Sequence, residues 1–149
     1  MMTIIPATRE TLESWVRLRA SLWPETSEAT HKSELEDYFR NSSAHSSAFL
    51  ARTDTGLIVG FAEAGLRTDY VNGCTTSPVV FLEGIYVLEP YRRQDIARRL
   101  CEAVALWGKN LGCMEFASDA PLENDASRRF HAAMGFIETE QVVFFKRCL

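Results

Sequence analysis

A carboxylate stands in the middle of the most strand-like run of this sequence, residues 79–88 (VVFLEGIYVL). An ionised group at the centre of an apolar strand is costly unless it is paired or reaches a cleft. Glu83 is therefore either the partner of an arginine such as Arg67 or a group that faces a ligand. Directly downstream, Glu89-Pro90-Tyr91 leads into Arg92-Arg93-Gln94-Asp95-Ile96-Ala97, which opens a long helix-patterned segment. Backbone N–H groups at a helix start have no intrahelical partner, and the helix dipole favours negative charge there. Arg92, Arg93, Arg98 and Arg99 add four cations around the same turn. A pyrophosphate fits such a place, although an arginine-rich exposed strand–turn–helix would read the same way.

The elements that must position these groups follow from periodicity. Residues 3–7 form a short first strand ending near Pro6, and Thr8 sits where a helix N-cap belongs. Leu12, Trp15, Val16, Leu18 and Leu22 recur at helical spacing up to Trp23-Pro24. A second, more polar helix covers 28–40, with Leu35, Tyr38 and Phe39 as its apolar stripe. Residues 48–52 and 57–66 read as a hairpin around Thr53-Asp54-Thr55-Gly56, and 68–78 as a loop. After strand 79–88, Ile96, Leu100, Val104 and Trp107 mark a helix running to Gly108 or Gly112. A strand at 113–118, a helix at 123–134 and a last strand pair at 136–139 and 141–146 complete the chain. The order β-α-α-β-β-β-α-β-α-β-β predicts one α/β (α+β) domain over 1–149, with a mixed central sheet flanked by helices.

Composition narrows the function classes. The 149 residues are 46% hydrophobic, 24% charged and 11% aromatic, with 8 Gly and 5 Pro, which excludes a disordered or low-complexity chain. Sixteen basic against twenty acidic side chains give a net charge of −4, which argues against nucleic acid and favours a cationic small partner. The longest uncharged run, 71–82, is broken by polar and turn residues, so no membrane span and no membrane partner is expected. The start, MMTIIPATRE, has no secretory pattern. Cys74, Cys101, Cys113 and Cys148 lack Cys-x-x-Cys spacing, and the histidines at 31, 45 and 131 are scattered. No metal site is expected, and the thiols suit a reducing cytoplasm.

The segment Asn124-Asp125-Ala126-Ser127-Arg128-Arg129-Phe130-His131-Ala132-Ala133-Met134-Gly135-Phe136 supplies the second motif. With the 92–97 turn it resembles the N-acetyltransferases of the GNAT superfamily. Residues 92–97 resemble that family's Arg/Gln-x-x-Gly-x-Gly/Ala acetyl-CoA loop, and 124–136 its Asn…Tyr…Gly-Phe signature. Within the superfamily the chain is similar to the aminoglycoside 6'-N-acetyltransferases. That similarity rests on Leu22-Trp23-Pro24, on 69–74 (DYVNGC), on 77–85 (SPVVFLEGI) and on Ala117-Ser118-Asp119. Two positions depart from the pattern. Asp95 replaces the loop glycine, adding a negative charge at a backbone position that favours positive φ. His131 replaces a tyrosine regarded as a general acid.

The resemblance implies acetyl transfer from acetyl-CoA, a co-substrate, to the 6'-amino group of an aminoglycoside. The amine would attack the thioester directly, with no metal. Glu83 would take the amine proton or hold the substrate cation, and the Val87 N–H would stabilise the oxyanion. His131 would protonate the leaving thiolate, a histidine in a helix surface being the bland alternative. Ile85, Tyr86, Val87, Arg92, Arg93, Gln94, Asp95, Ile96, Ala97, Arg98 and Asn124 would hold the coenzyme. Trp23, Tyr70, Glu83, Asp119 and Glu140 would receive the aminoglycoside, since carboxylates and rings suit a sugar polycation. An acetyltransferase for another amine, a polyamine or a protein N-terminus, remains open at this point. So does a non-catalytic coenzyme sensor. The apolar end of the chain, Val142-Val143-Phe144-Phe145, would be an aggregation-prone edge if uncovered, so a homodimer is expected.

Overall fold

The computed structural model describes residues 2–41 and 44–149. Five strands form one sheet in the order β1 (Thr3–Pro6), β2 (Ser46–Arg52), β3 (Ile58–Arg67), β4 (Val79–Val87) and β5 (Phe116–Ala117). The first four pair antiparallel and β5 joins β4 in parallel. Four α-helices accompany it: α1 (Leu12–Leu22), α2 (Glu28–Asn41), α3 (Ile96–Asn110) and α4 (Asp125–Ala133). One of two 3-10 turns among the described residues, Arg9–Thr11, stands between Thr8 and α1, so the helix starts one turn later than the Thr8 cap implied; the other is Glu89–Tyr91.

The strands alternate between two apolar layers, as a period of two requires. Leu50, Ile58 and Phe61 pack with Trp15, Val16, Leu18 and Leu35 of α1 and α2. Ala51, Val59, Ala62, Val80 and Leu82 pack with Ile96, Leu100, Cys101 and Val104 of α3 on the other face. The expected stripes of α1, α2 and α3 are therefore the ones that are buried. Gly108 lets α3 press on the sheet: a Cβ there would come 2.8 Å from Val80.

Two expectations about the last third of the chain are not met. The strand expected at 113–118 is only Phe116–Ala117, and the final strand pair does not form. Beyond Phe136 the chain has no regular structure, and Val143, Phe144 and Phe145 are 77%, 88% and 92% exposed. A strand needs the hydrogen bonds of a neighbour. With β5 only two residues long, the end of the chain has no ladder to join within this subunit.

Candidate active site

The sheet opens where β4 leaves β5. Their parallel pairing ends at Phe81 and Ala117. One residue later the register of β3 against β4 slips, with Glu63 opposite Gly84 and Ala64 opposite Leu82. Glu83 is therefore the extra residue of a β-bulge, which explains how a carboxylate stands in an apolar strand. A bulge re-aims a side chain and interrupts the ladder. Past the bulge, the Leu88 amide donates to Val59 O (2.8 Å), which sets the phase of the antiparallel pairing. Gly84 and Tyr86 bond toward β3, while the N–H groups of Ile85 and Val87 face the opening.

The Glu83 carboxylate is half exposed and meets Arg67 Nη2 at 3.2 Å from both oxygens. Arg67 in turn lies 3.4 Å from the centre of the Phe81 ring. The arginine pairing anticipated as the plain alternative is thus present. Trp23 packs over Gly84 and stacks on the buried His31 at 6.3 Å. It is a packed side chain that also stands beside the Glu83 bulge.

Near Trp23 lies a group the sequence analysis did not single out. Glu63 is nearly buried, accepts from Trp15 Nε1 (3.2 Å) and sits 3.0 Å from Arg19 Nε. Arg19 also meets Glu34 at 2.9 Å and lies 5.1 Å from the Trp23 ring centre. Both approaches fall outside hydrogen-bond alignment, so these are ion pairs held by charge. Burial, only partly offset by Arg19 and the Trp15 bond, pushes the Glu63 carboxyl up to about 7. A cleft of about 320 Å³ opens here between α2 and β3, with Glu34, Asp37 and Glu63 among its walls.

The turn before α3 is open. Among the described residues, the amides of residues 93–97 donate to no carbonyl or side chain, and the first bond of the helix is Arg99 N–H to Asp95 O. Arg93 and Asp95 both adopt left-handed backbone, at φ 66° and 64°. Asp95 thus takes the conformation of the glycine it replaces, and its carboxylate makes no cap bond. It pairs instead with Arg98 Nε at 3.2 Å, while Arg98 Nη2 donates to Ala133 O and ties α3 to α4. The four arginines do not all serve this turn. Arg92 Nε bonds Val87 O (2.8 Å) over the Tyr86 ring, and Arg99 is turned away to Met2 O. Gln94 is exposed, and the Ile96 side chain belongs to the core, so only its amide faces the turn.

On the far side of the opening, His131 is fixed by three contacts, the longest of them 3.3 Å between Nδ1 and Ser127 Oγ. Its Nδ1 lies 2.7 Å from Ser127 O, and its Nε2 lies 2.9 Å from Ser118 Oγ. Ser118, the first residue after β5, also reaches Leu82 O at 3.3 Å across the parting strands. Asn124 spends its Oδ1 on capping α4 through Ser127 N–H (3.1 Å), which leaves its amide nitrogen to donate.

The remaining expected substrate residues, Tyr70, Asp119 and Glu140, are all exposed. Tyr70 is 74% exposed on the 68–78 loop, which Val71 anchors against Val79, Phe81 and Ala117. Glu115 pins the same loop by accepting from the amides of Thr75 and Thr76, and these bonds with the Thr76 hydroxyl hold its carboxyl below the ordinary range. Thr139 abuts Gly73, which brings exposed Glu140 beside this loop although no strand carries it. Asp119 is exposed just past β5.

Free amides at a helix start beside a parting strand suit an anionic ligand. The model of the acetyltransferase (GNAT) family matches residues 12–136, and the chain belongs to that family. Within it, the chain is similar to aminoglycoside N(6')-acetyltransferases type 1. It is 48% identical to that of Serratia marcescens over 98% of this chain and 99% of the relative, and 47% identical to that of Acinetobacter baumannii over 98% of each. Two solved structures match closely. AAC(6')-Ih from Acinetobacter baumannii has a TM-score of 0.95 at 46% identity, covering 100% of this chain and 99% of that one. AAC(6')-Iy, solved with the bisubstrate analogue CoA-S-monomethyl-acetylneamine, has a TM-score of 0.92 at 46% identity, covering 99% of each chain. Among the described residues no helix is long and apolar enough to cross a membrane.

Proposed function

We propose that this chain transfers acetyl from acetyl-CoA to the 6'-amino group of aminoglycosides, and so confers resistance to them. The observation that carries the reading is the bulge at Glu83, set at the parting of β4 and β5 on the strand that leads into the unbonded amides of 93–97. The bulge aims a carboxylate at the point where a coenzyme arm would enter, and the acidic rim suits a polycation. The likeness to AAC(6')-Iy, described with a CoA-linked analogue, supports the same reading.

In this reading one acetyltransferase unit spans residues 1–149. The amides of 93–97 with Arg93 and Arg98 grip the pyrophosphate, and the outward amides of Ile85 and Val87 and the Asn124 side chain hold the pantetheine arm. Tyr86 carries Arg92 beside that arm. Val87 N–H faces the thioester oxygen as negative charge develops there. Glu83 exchanges Arg67 for the substrate ammonium and takes its proton, directly or through water. Trp23, Tyr70, Asp119 and Glu140 receive the sugar rings. His131 supplies the proton for the leaving thiolate. A second copy of the chain covers the apolar 142–145 run to make a homodimer, and the four free thiols suit the cytoplasm.

Thiol release from acetyl-CoA, measured with 6'-amino aminoglycosides, their 6'-hydroxy counterparts and spermine, tests the reading. Turnover confined to the 6'-amino set is expected. Equal turnover with spermine assigns the site to another amine, and no turnover with any amine leaves only a coenzyme-binding protein.

A further inference from the structure

His131 does not point its free nitrogen into open space. Nδ1 lies 2.7 Å from Ser127 O and 3.3 Å from Ser127 Oγ; a carbonyl only accepts, so the shorter contact calls for a hydrogen on Nδ1, and the hydroxyl can accept from it as well. In the neutral ring, Nε2 is then a bare acceptor, and among the described residues the one group offered to it is the Ser118 hydroxyl at 2.9 Å. Ser118 has one hydrogen and two acceptors within reach, Nε2 of His131 and the carbonyl of Leu82 at 3.3 Å. Protonation of the ring decides between them. A neutral His131 takes the Ser118 hydrogen, whereas a cationic His131 donates to Ser118 Oγ and leaves the hydroxyl hydrogen to the long contact with Leu82 O, at the edge of the gap between β4 and β5. That gap begins at this residue, because Ala117 is the last residue of β5 paired to β4.

We infer that Ser118 is the immediate proton donor to the departing sulfur, with His131 reloading it from behind. The inference rests on the acetyl transfer proposed above. As the amine nitrogen forms its bond to the carbonyl carbon, the carbon–sulfur bond breaks and its electron pair goes to sulfur. Ser118 Oγ gives its hydrogen to that sulfur and takes the Nε2 hydrogen of His131 in the same motion. His131 is left neutral, with Nδ1–H still on Ser127 O. The proton that the amine sheds on becoming an amide balances the one gained by sulfur, and His131 is recharged from solvent. The Ser127 carbonyl fixes the ring, so His131 never needs to swing toward the coenzyme.

The test combines a spectrum of the ligand-free protein with kinetics. In 15N-histidine-labelled wild type, His131 is expected as the Nδ1–H tautomer. Ser118→Ala should move the Nε2 resonance and leave Nδ1 in place. In turnover, Ser118→Ala should lower kcat by about 10²-fold, the scale of one lost general acid, with the KM of both substrates unchanged. Ser118→Thr, which keeps the hydroxyl, should recover most of it. The double variant Ser118→Ala/His131→Ala should be no slower than His131→Ala alone, as for groups acting as a unit. An Nε2–H tautomer in wild type, or a Ser118→Ala kcat within a few-fold of wild type, overturns the relay while the acetyl-transfer reading stands. Wild-type protein that releases no thiol with any amine overturns that reading, and the relay with it.

Discussion

Trp23 rests directly on Gly84: a Cβ added to that glycine would come within 2.5 Å of the indole. The contact joins the end of α1 to the residue beside the Glu83 bulge, so the indole and the strand that bears the carboxylate are a single packed unit. Gly84→Ala should push the ring off its seat on His31 and destabilise the fold by about 1–3 kcal/mol, the usual cost of overpacking. Urea unfolding measures this, and an unchanged midpoint would show that the ring relocates freely.

Glu63 makes stability depend on pH. Its folded-state pKa of about 7 lies above the ordinary 4.5, so the folded chain binds this proton more tightly than the unfolded one. The carboxyl's contribution is greatest below about pH 4.5 and is lost as pH climbs toward 7, by up to about 3 kcal/mol. Glu63→Gln keeps a polar group for Trp15 and cannot titrate. Its unfolding free energy, compared with wild type at pH 5 and 7.5, should lose this downward component. The same fall in both proteins would place its source elsewhere.

The Arg67–Glu83 pair is half exposed and worth under about 1 kcal/mol. Glu83→Gln should therefore leave thermal stability nearly unchanged while it cuts turnover by about 10²-fold or more. Steady-state rates with a 6'-amino aminoglycoside decide this, and wild-type kcat in the variant would remove Glu83 from the chemistry.

Asp95 holds left-handed backbone and engages Arg98 with its carboxylate. Asp95→Gly keeps the turn accessible, removes a negative charge beside the phosphate site and frees Arg98. Calorimetry should find acetyl-CoA bound several-fold more tightly and aminoglycoside affinity unchanged. Weaker coenzyme binding would mean that the Asp95–Arg98 pair holds the turn in shape.

The exposed end of the chain should be buried between copies. Light scattering at micromolar concentration should find a dimer for the natural chain and a monomer for Phe144→Asp/Phe145→Asp. A natural chain that is already monomeric would refute the pairing.

Much of this arrangement was legible in the sequence, because helical stripes such as Ile96, Leu100 and Val104 need only local periodicity to be read. The 48–52 and 57–66 hairpin was equally plain, since its turn residues lie between two apolar runs. Glu83 announced itself by being wrong for its strand. What escaped were relations fixed by three-dimensional contact. Arg67 was named only as a possible partner, Ser118 only as part of a resemblance, and Glu63 not at all, because a single Glu within a strand pattern reads as an outward-facing polar residue. The missing last strands failed for a related reason: 141–146 has the pattern of a strand, but pattern does not supply the neighbouring backbone that makes one.

The extra residue at position 83 also sets a limit on improving this protein. Deleting it would let β3 and β4 pair without interruption from Gly60 to Arg67, so any selection for heat resistance alone should favour the loss. The outcome would be a sturdier sheet with no carboxylate at its opening. Engineers who want a tougher variant should therefore stabilise the helices and leave this irregularity alone.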